Sequence, residues 1–176
     1  PDPVVGHLND TGEKISVVTV GDIEPEAIDS LLNRFDLSAD YVGHGQPIAG
    51  SFWGEPEAGI VGKRVFVRAD TPVHSLLHEV CHIICMSDER RANLNRDAGS
   101  DDLEEAAVCY LQIVFAEYLP GIDRERLAED MDTWGYSFRL GSTLRWFEED
   151  AADAFDWLVE HRVIDISGHP LFRLRE

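Results

Sequence analysis

Residues 71 to 86 read Thr71-Pro72-Val73-His74-Ser75-Leu76-Leu77-His78-Glu79-Val80-Cys81-His82-Ile83-Ile84-Cys85-Met86, and this stretch decides how the rest of the chain must be arranged. Thr71 before Pro72 predicts a helix start, because a threonine hydroxyl can accept an orphan amide and proline suits the first helical position. Val73, Leu76, Leu77, Val80, Ile83 and Ile84 then wrap much of the circumference, so the helix should be buried in the protein and not lie on its surface. Within it stand His78, Glu79 and His82, residues that are costly to bury unless paired or coordinated.

Their spacing offers a reason for the burial. Side chains four residues apart on a helix are separated by about 40° around the axis and one turn along it, so the imidazoles of His78 and His82 can meet one ion. Imidazole nitrogens are good ligands for Zn2+. Glu79 lies beside the pair, where a carboxylate can take the proton of a metal-activated water and pass it to a leaving group.

Working outward, a second buried helix is expected from near Asp101, where Asp101 and Glu104 have capping-box spacing, to about Tyr118, before Pro120-Gly121. His78-Glu79-Val80-Cys81-His82 followed by Asp101-Asp102-Leu103-Glu104-Glu105-Ala106-Ala107 resembles the gluzincin branch of HExxH zinc metallopeptidases, including its compact forms. The likeness spans roughly residues 71 to 116. It implies a zincin-like fold with the metal between two helices, a Zn2+ cofactor and a peptide or protein substrate. It also implies a third ligand, a glutamate on the following helix directly before a small residue. Glu105 is the expected ligand, since it precedes Ala106-Ala107 and shares a stripe with Asp101, Val108 and Gln112. Glu104 and then Asp101 are alternatives. Cys109 is the rival that would make the site closed and structural.

One departure stands out. The thermolysin-like pattern has an acidic residue one turn after the ligand glutamate to support a zinc histidine, and here that position is Cys109. Support must come from elsewhere, or Asp101 and Glu105 divide the roles differently. His74, one turn before His78, reads as a supporting donor, a substrate contact or a simple first-turn histidine. Cys81 and Cys85 read as small apolar packing residues.

Amide hydrolysis also needs a donor for the developing oxyanion. Trp134-Gly135-Tyr136-Ser137-Phe138-Arg139-Leu140-Gly141-Ser142 mixes donors with aromatics and glycines, which makes Tyr136 the first candidate catalytic donor and Arg139 the second. Interhelical packing and a surface charge are their ordinary alternatives. His161 and His169 follow, with no positional argument.

Elsewhere, β-branched residues over Lys14 to Val20 predict a strand, and Pro25 to Phe35 a short helix. Tyr41 to Gly62 is glycine-rich and reads as loop and hairpin, with Phe52-Trp53 as a short strand. Lys63 to Arg68 reads as a strand whose edge could dock an extended substrate near Val65. Ser87 to Ser100 should be a polar connection or short surface helix. Arg124 to Thr133 and Leu140 to Glu160 carry helical patterns, and the tail from Val163 should add a strand or pack on the surface. The fold class is therefore α+β: one domain over residues 1–176, with a small N-terminal antiparallel or mixed sheet followed by a mainly helical part.

The formal net charge of -19 argues against nucleic acid or an anionic membrane as a partner. Three cysteines in apolar stretches do not suggest a disulfide framework and point to a reducing, cytoplasmic setting. No apolar run of membrane-spanning length is present, and Pro1-Asp2-Pro3 has no signal-peptide character, although the missing initiator Met leaves removal of an upstream segment open. Oligomeric state does not follow from the sequence. The expected activity is zinc-dependent hydrolysis of a peptide or amide. Its rivals are a non-catalytic zinc-binding sensor or protein-interaction domain, recognised by an enclosed fourth coordination position, and a purely structural fold without metal.

Overall fold

The computed structural model describes residues 16–51, 56–92 and 101–176. Three strands, β1 (Ser38–Val42), β2 (Gly59–Val61) and β3 (Arg64–Arg68), form a mixed sheet in the order β1-β3-β2. β1 runs parallel to β3, with Ser38 opposite Arg64 and Val42 opposite Arg68. β2 is antiparallel, with Ile60 opposite Val65. Val65, Val67 and Ile60 are fully buried, which fixes the core face of the sheet. Because β3 is the central strand, the expected substrate docking along its edge does not hold: both of its edges are already paired.

Seven helices complete the α+β fold among the described residues: α1 (Pro25–Asn33), α2 (Val73–Cys85), α3 (Asp88–Ala92), α4 (Asp102–Phe115), α5 (Arg124–Trp134), α6 (Thr143–Glu149) and α7 (Ala152–Glu160). α1 packs on β1, α2 lies against α4, and α7 covers another face of α4. The core runs continuously from Ile28 and Leu32 of α1 through Leu76, Leu77, Val80 and Ile83 of α2 to Leu111 and Phe115 of α4. No helix among the described residues is long and apolar enough to cross a membrane.

The sheet also depends on a close backbone crossing. Ile60 donates to the Gly50 carbonyl at 3.2 Å, and a Cβ placed on Gly59 would overlap the Ala49 carbonyl oxygen. Gly59→Ala should therefore destabilise the fold by about 1–3 kcal/mol or more, the usual range for forced overpacking. Urea unfolding measures this, and an unchanged midpoint would show that the crossing tolerates a side chain.

Several local readings need correction. The described part of the predicted strand 14–20 is not in the sheet: Thr19 forms a single bridge to Pro72, and Val20–Asp22 is a 3-10 turn. The backbone amides of this segment are taken elsewhere, Val18 by Asp130, Val20 by the Thr71 carbonyl and Gly21 by the Ala69 carbonyl. Part of the predicted loop 41–62 belongs instead to β1, an edge strand without an alternating apolar pattern that is held by register against β3 and by Asp40 pairing with Arg64. The helix expected over 140–160 breaks into α6 and α7 at Asp150, whose carboxylate accepts two 2.7 Å bonds from Arg139. The expected strand at Phe52-Trp53 lies outside the described residues.

Candidate metal centre

Every residue of α2 is buried, as the apolar pattern over residues 73–85 predicts. The helix starts differently from expectation. Pro72 occupies the N-cap position, and the Thr71 hydroxyl accepts from the Arg68 amide at 2.9 Å instead of capping the helix. This turn places α2 directly after β3, with His78 and His82 on the face that meets α4.

α4 begins at the Asp101 cap, whose carboxylate accepts from the Glu104 amide at 2.8 Å. The two glutamates that follow diverge. Glu104 accepts from Arg90 at 2.7 and 3.0 Å and from Arg175 at 3.1 Å. Glu105 instead faces α2, with one carboxylate oxygen 3.1 Å from His78 Nε2 and the other 3.1 Å from His82 Nε2. The two Nε2 atoms are themselves 3.1 Å apart. Asp101, Glu104 and Glu105 thus have three different occupations, and only Glu105 joins the histidines; Cys109 is not in the group.

The residues fit a zinc ion. Nitrogens that each bind one zinc at about 2.0–2.1 Å can be no more than about 4.2 Å apart, and the donor set of two imidazoles and one carboxylate is a common one for this metal. His78 is 6% exposed and His82 9%, whereas the Glu105 side chain is 41% exposed, so the cluster reaches solvent on its carboxylate side.

The electrostatics of the cluster follow from burial opposed by close partners. Burial works against charging His78, but Tyr136, Cys109 and Glu105 outweigh it and raise its pKa well above the ordinary value. Burial lowers the pKa of His82. Burial pushes the Glu105 carboxyl up, and the two imidazoles more than reverse this, holding it well below the usual carboxylate range. A proton held between His78 and Glu105 is the alternative to a divalent ion, so the two compete.

Behind the histidines lies a residue whose role the sequence does not announce. Gln112, fully buried in α4, sits 3.0 Å by its Oε1 from His78 Nδ1, while its Nε2 donates to the His74 carbonyl at 2.7 Å. It supplies the support for His78 that Cys109 does not supply as an acid. A lone amide in the apolar run Ala106 to Phe115, seven residues after Glu105, was the available signal.

Tyr136 stands at the same place. Its ring lies edge-on to His78 at 5.8 Å and to His74 at 5.5 Å. Burial raises its pKa, so the phenol keeps its proton at neutral pH. Glu79 is buried on α2 immediately after His78. His74 is buried between Trp134 and Tyr136. Cys81 and Cys85 are buried, and burial pushes both thiols well up, in keeping with a packing role.

The remaining candidates are engaged elsewhere. Arg139 is held by Asp150, His161 bonds the Trp157 carbonyl at 2.9 Å, and His169 is exposed beside Asp165. Glu57, which carried no sequence signal, is buried near Tyr136, accepting from Ser75 at 2.5 Å and from Trp134 Nε1 at 2.7 Å. It ties the approach to β2 to the metal helix and to the end of α5.

No family model matches the chain, and neither curated proteins nor solved structures give a match. What the site can do therefore follows from its own residues.

Proposed function

We propose that the chain is a zinc-dependent metallopeptidase of gluzincin type, a single zincin-like domain that hydrolyses a peptide or related amide bond. The observation that carries this reading is the convergence of His78 Nε2, His82 Nε2 and the Glu105 carboxylate at 3.1 Å spacings, with Glu79 on the same helix. Zinc held by these three residues would supply Lewis-acid polarisation of water and of the scissile carbonyl. Glu79 accepts the proton of the attacking water and delivers it to the leaving amine. Tyr136, protonated, donates its hydroxyl to the developing oxyanion. The exposed side of Glu105 is where a substrate would reach the cluster.

A peptide or protein is the proposed substrate. A net charge of -19 disfavours nucleic acid and anionic membranes as partners. The three cysteines are all free and buried, which suits a cytoplasmic location.

One observation favours a second reading, a non-catalytic zinc-binding sensor or interaction domain. Cys109, one turn beyond Glu105, is close enough to favour charge on His78, and a thiolate brought to the ion would supply a fourth protein ligand and close the site. Substitution of zinc by cobalt separates the two: a strong sulfur-to-cobalt charge-transfer band indicates the closed site, and its absence the open one.

The first test of the reading is metal content. Protein purified without an affinity tag and supplied with zinc should hold one ion per chain. His82→Ala should weaken binding by more than the about 10–100-fold that loss of a mere supporting partner costs. Near-zero zinc in the wild type, or equal zinc in the variant, would sink the assignment.

A further inference from the structure

We propose that Gln112 sets both working parts of this site at once, turning the Nε2 lone pair of His78 toward the metal cluster and leaving the Tyr136 hydroxyl proton free for the substrate. The inference rests on the metallopeptidase reading and adds to it a positioning residue outside the HExxH helix.

The orientation of the amide is decided by its neighbours. The nitrogen must face the His74 carbonyl, to which it donates at 2.7 Å, because two carbonyl oxygens would repel. Gln112 Oε1 therefore faces His78 Nδ1 at 3.0 Å, and an amide oxygen only accepts. His78 must carry its proton on Nδ1. In the neutral ring this leaves the lone pair on Nε2, the atom that faces Glu105 and His82.

The amide nitrogen has a second hydrogen, and Tyr136 is the neighbour placed to take it: its ring packs edge-on against His74 and His78, the two residues that Gln112 bonds, and the amide favours charge on its hydroxyl oxygen. A phenol oxygen that accepts this bond keeps its own O–H to give away. The His78 tautomer and the direction of the Tyr136 donor thus follow from one side chain. Gln112 is fully buried between Leu111 and Ile113, so water does not substitute for it readily. Leucine at this position would remove all three bonds. Glutamate would keep the acceptor for His78 Nδ1 and lose both donors, which separates the two roles.

Three measurements test this on the whole chain: zinc affinity by competition with a chromophoric chelator, turnover of an unstructured peptide, and the His78 tautomer from long-range proton–nitrogen correlations in the zinc-free protein at a pH where the ring is neutral. Wild type should show the proton on Nδ1. Gln112→Leu should weaken zinc by about 10–100-fold and lower turnover with it. Gln112→Glu should hold zinc within about 3-fold of wild type, as retention of an acceptor predicts, while turnover falls at least about 10-fold through loss of a directed donor. A purely structural Gln112 would not produce that split. Wild type with the proton on Nε2, Gln112→Leu matching wild type in zinc affinity, or Gln112→Glu losing zinc and turnover in equal proportion would each overturn the role of Gln112. The wild-type tautomer decides the matter even if Gln112→Glu does not fold. Wild type that takes up no zinc would overturn the metallopeptidase reading itself, a result distinct from the others.

Discussion

Glu79→Gln is expected to lower peptide turnover by about 100- to 10,000-fold, the contribution of a positioned general base, while zinc stays at one ion per chain. The two outcomes separate because Glu79 is not in the group that converges on the metal position, which consists of His78, His82 and Glu105. Glutamine keeps the shape and most of the hydrogen-bonding capacity of the buried carboxylate, so folding and metal uptake are retained and only basicity is lost. Steady-state kinetics with metal analysis on the same preparation make the test. A drop confined to kcat fits a residue acting on the reacting water. A rise in KM alone would move Glu79 into substrate binding, and unchanged turnover with unchanged zinc would remove it from the chemistry.

Each element is legible in the sequence to the extent that its own residues, and not distant ones, hold it in place. α2 and α4 were legible because their apolar residues recur at helical spacing, and burial of that surface is the main driving force for forming them. That His78 and His82 share one face was legible for the same reason, since their i, i+4 relation is a property of the helix itself. The preference for Glu105 over Glu104 drew on the helix stripe, on its place before Ala106-Ala107 and on the capping-box spacing of Glu104 with Asp101, and the two glutamates point about 100° apart around the axis. β1 was not legible. Ser38-Ala39-Asp40-Tyr41-Val42 has no apolar alternation, and its pairing with β3 depends on residues more than twenty positions away. The break between α6 and α7 falls at Asp150, which Arg139 pairs from outside both helices, and the displaced segment before α1 is bonded by Asp130 far along the chain. Gln112 was visible as a polar residue in an apolar helix, but its partners His78 and His74 lie on another helix, which periodicity does not reveal.

Glu104→Ala should destabilise the protein toward the lower end of the about 3–5 kcal/mol expected when one partner of a buried ion pair is removed. The Glu104 side chain is 4% exposed, yet Arg90 is 38% and Arg175 22% exposed, so both arginines recover part of their hydration. What makes the residue important is the second set of bonds in which Arg175 takes part. Arg175 donates from its backbone to the Ile84 carbonyl at 2.9 Å and from its guanidinium to the Cys85 carbonyl at 3.0 Å. Arg91 reaches the Ile83 and Met86 carbonyls and the Arg175 carbonyl at 2.6–2.9 Å. Two of the last carbonyls of α2, those of Ile84 and Cys85, which have no intrahelical partner, are thus served by a tail residue that Glu104 anchors to the first turn of α4. Glu105, the next residue of that turn, is the one that meets His78 and His82. Removal of Glu104 should therefore show in urea unfolding and also as weaker zinc binding, while zinc at one hundred times the variant's Kd should raise its stability over the zinc-free variant by about 2.7 kcal/mol. A change below about 0.5 kcal/mol, as for an exposed pair, would mean that the tail and α4 hold their places without this carboxylate.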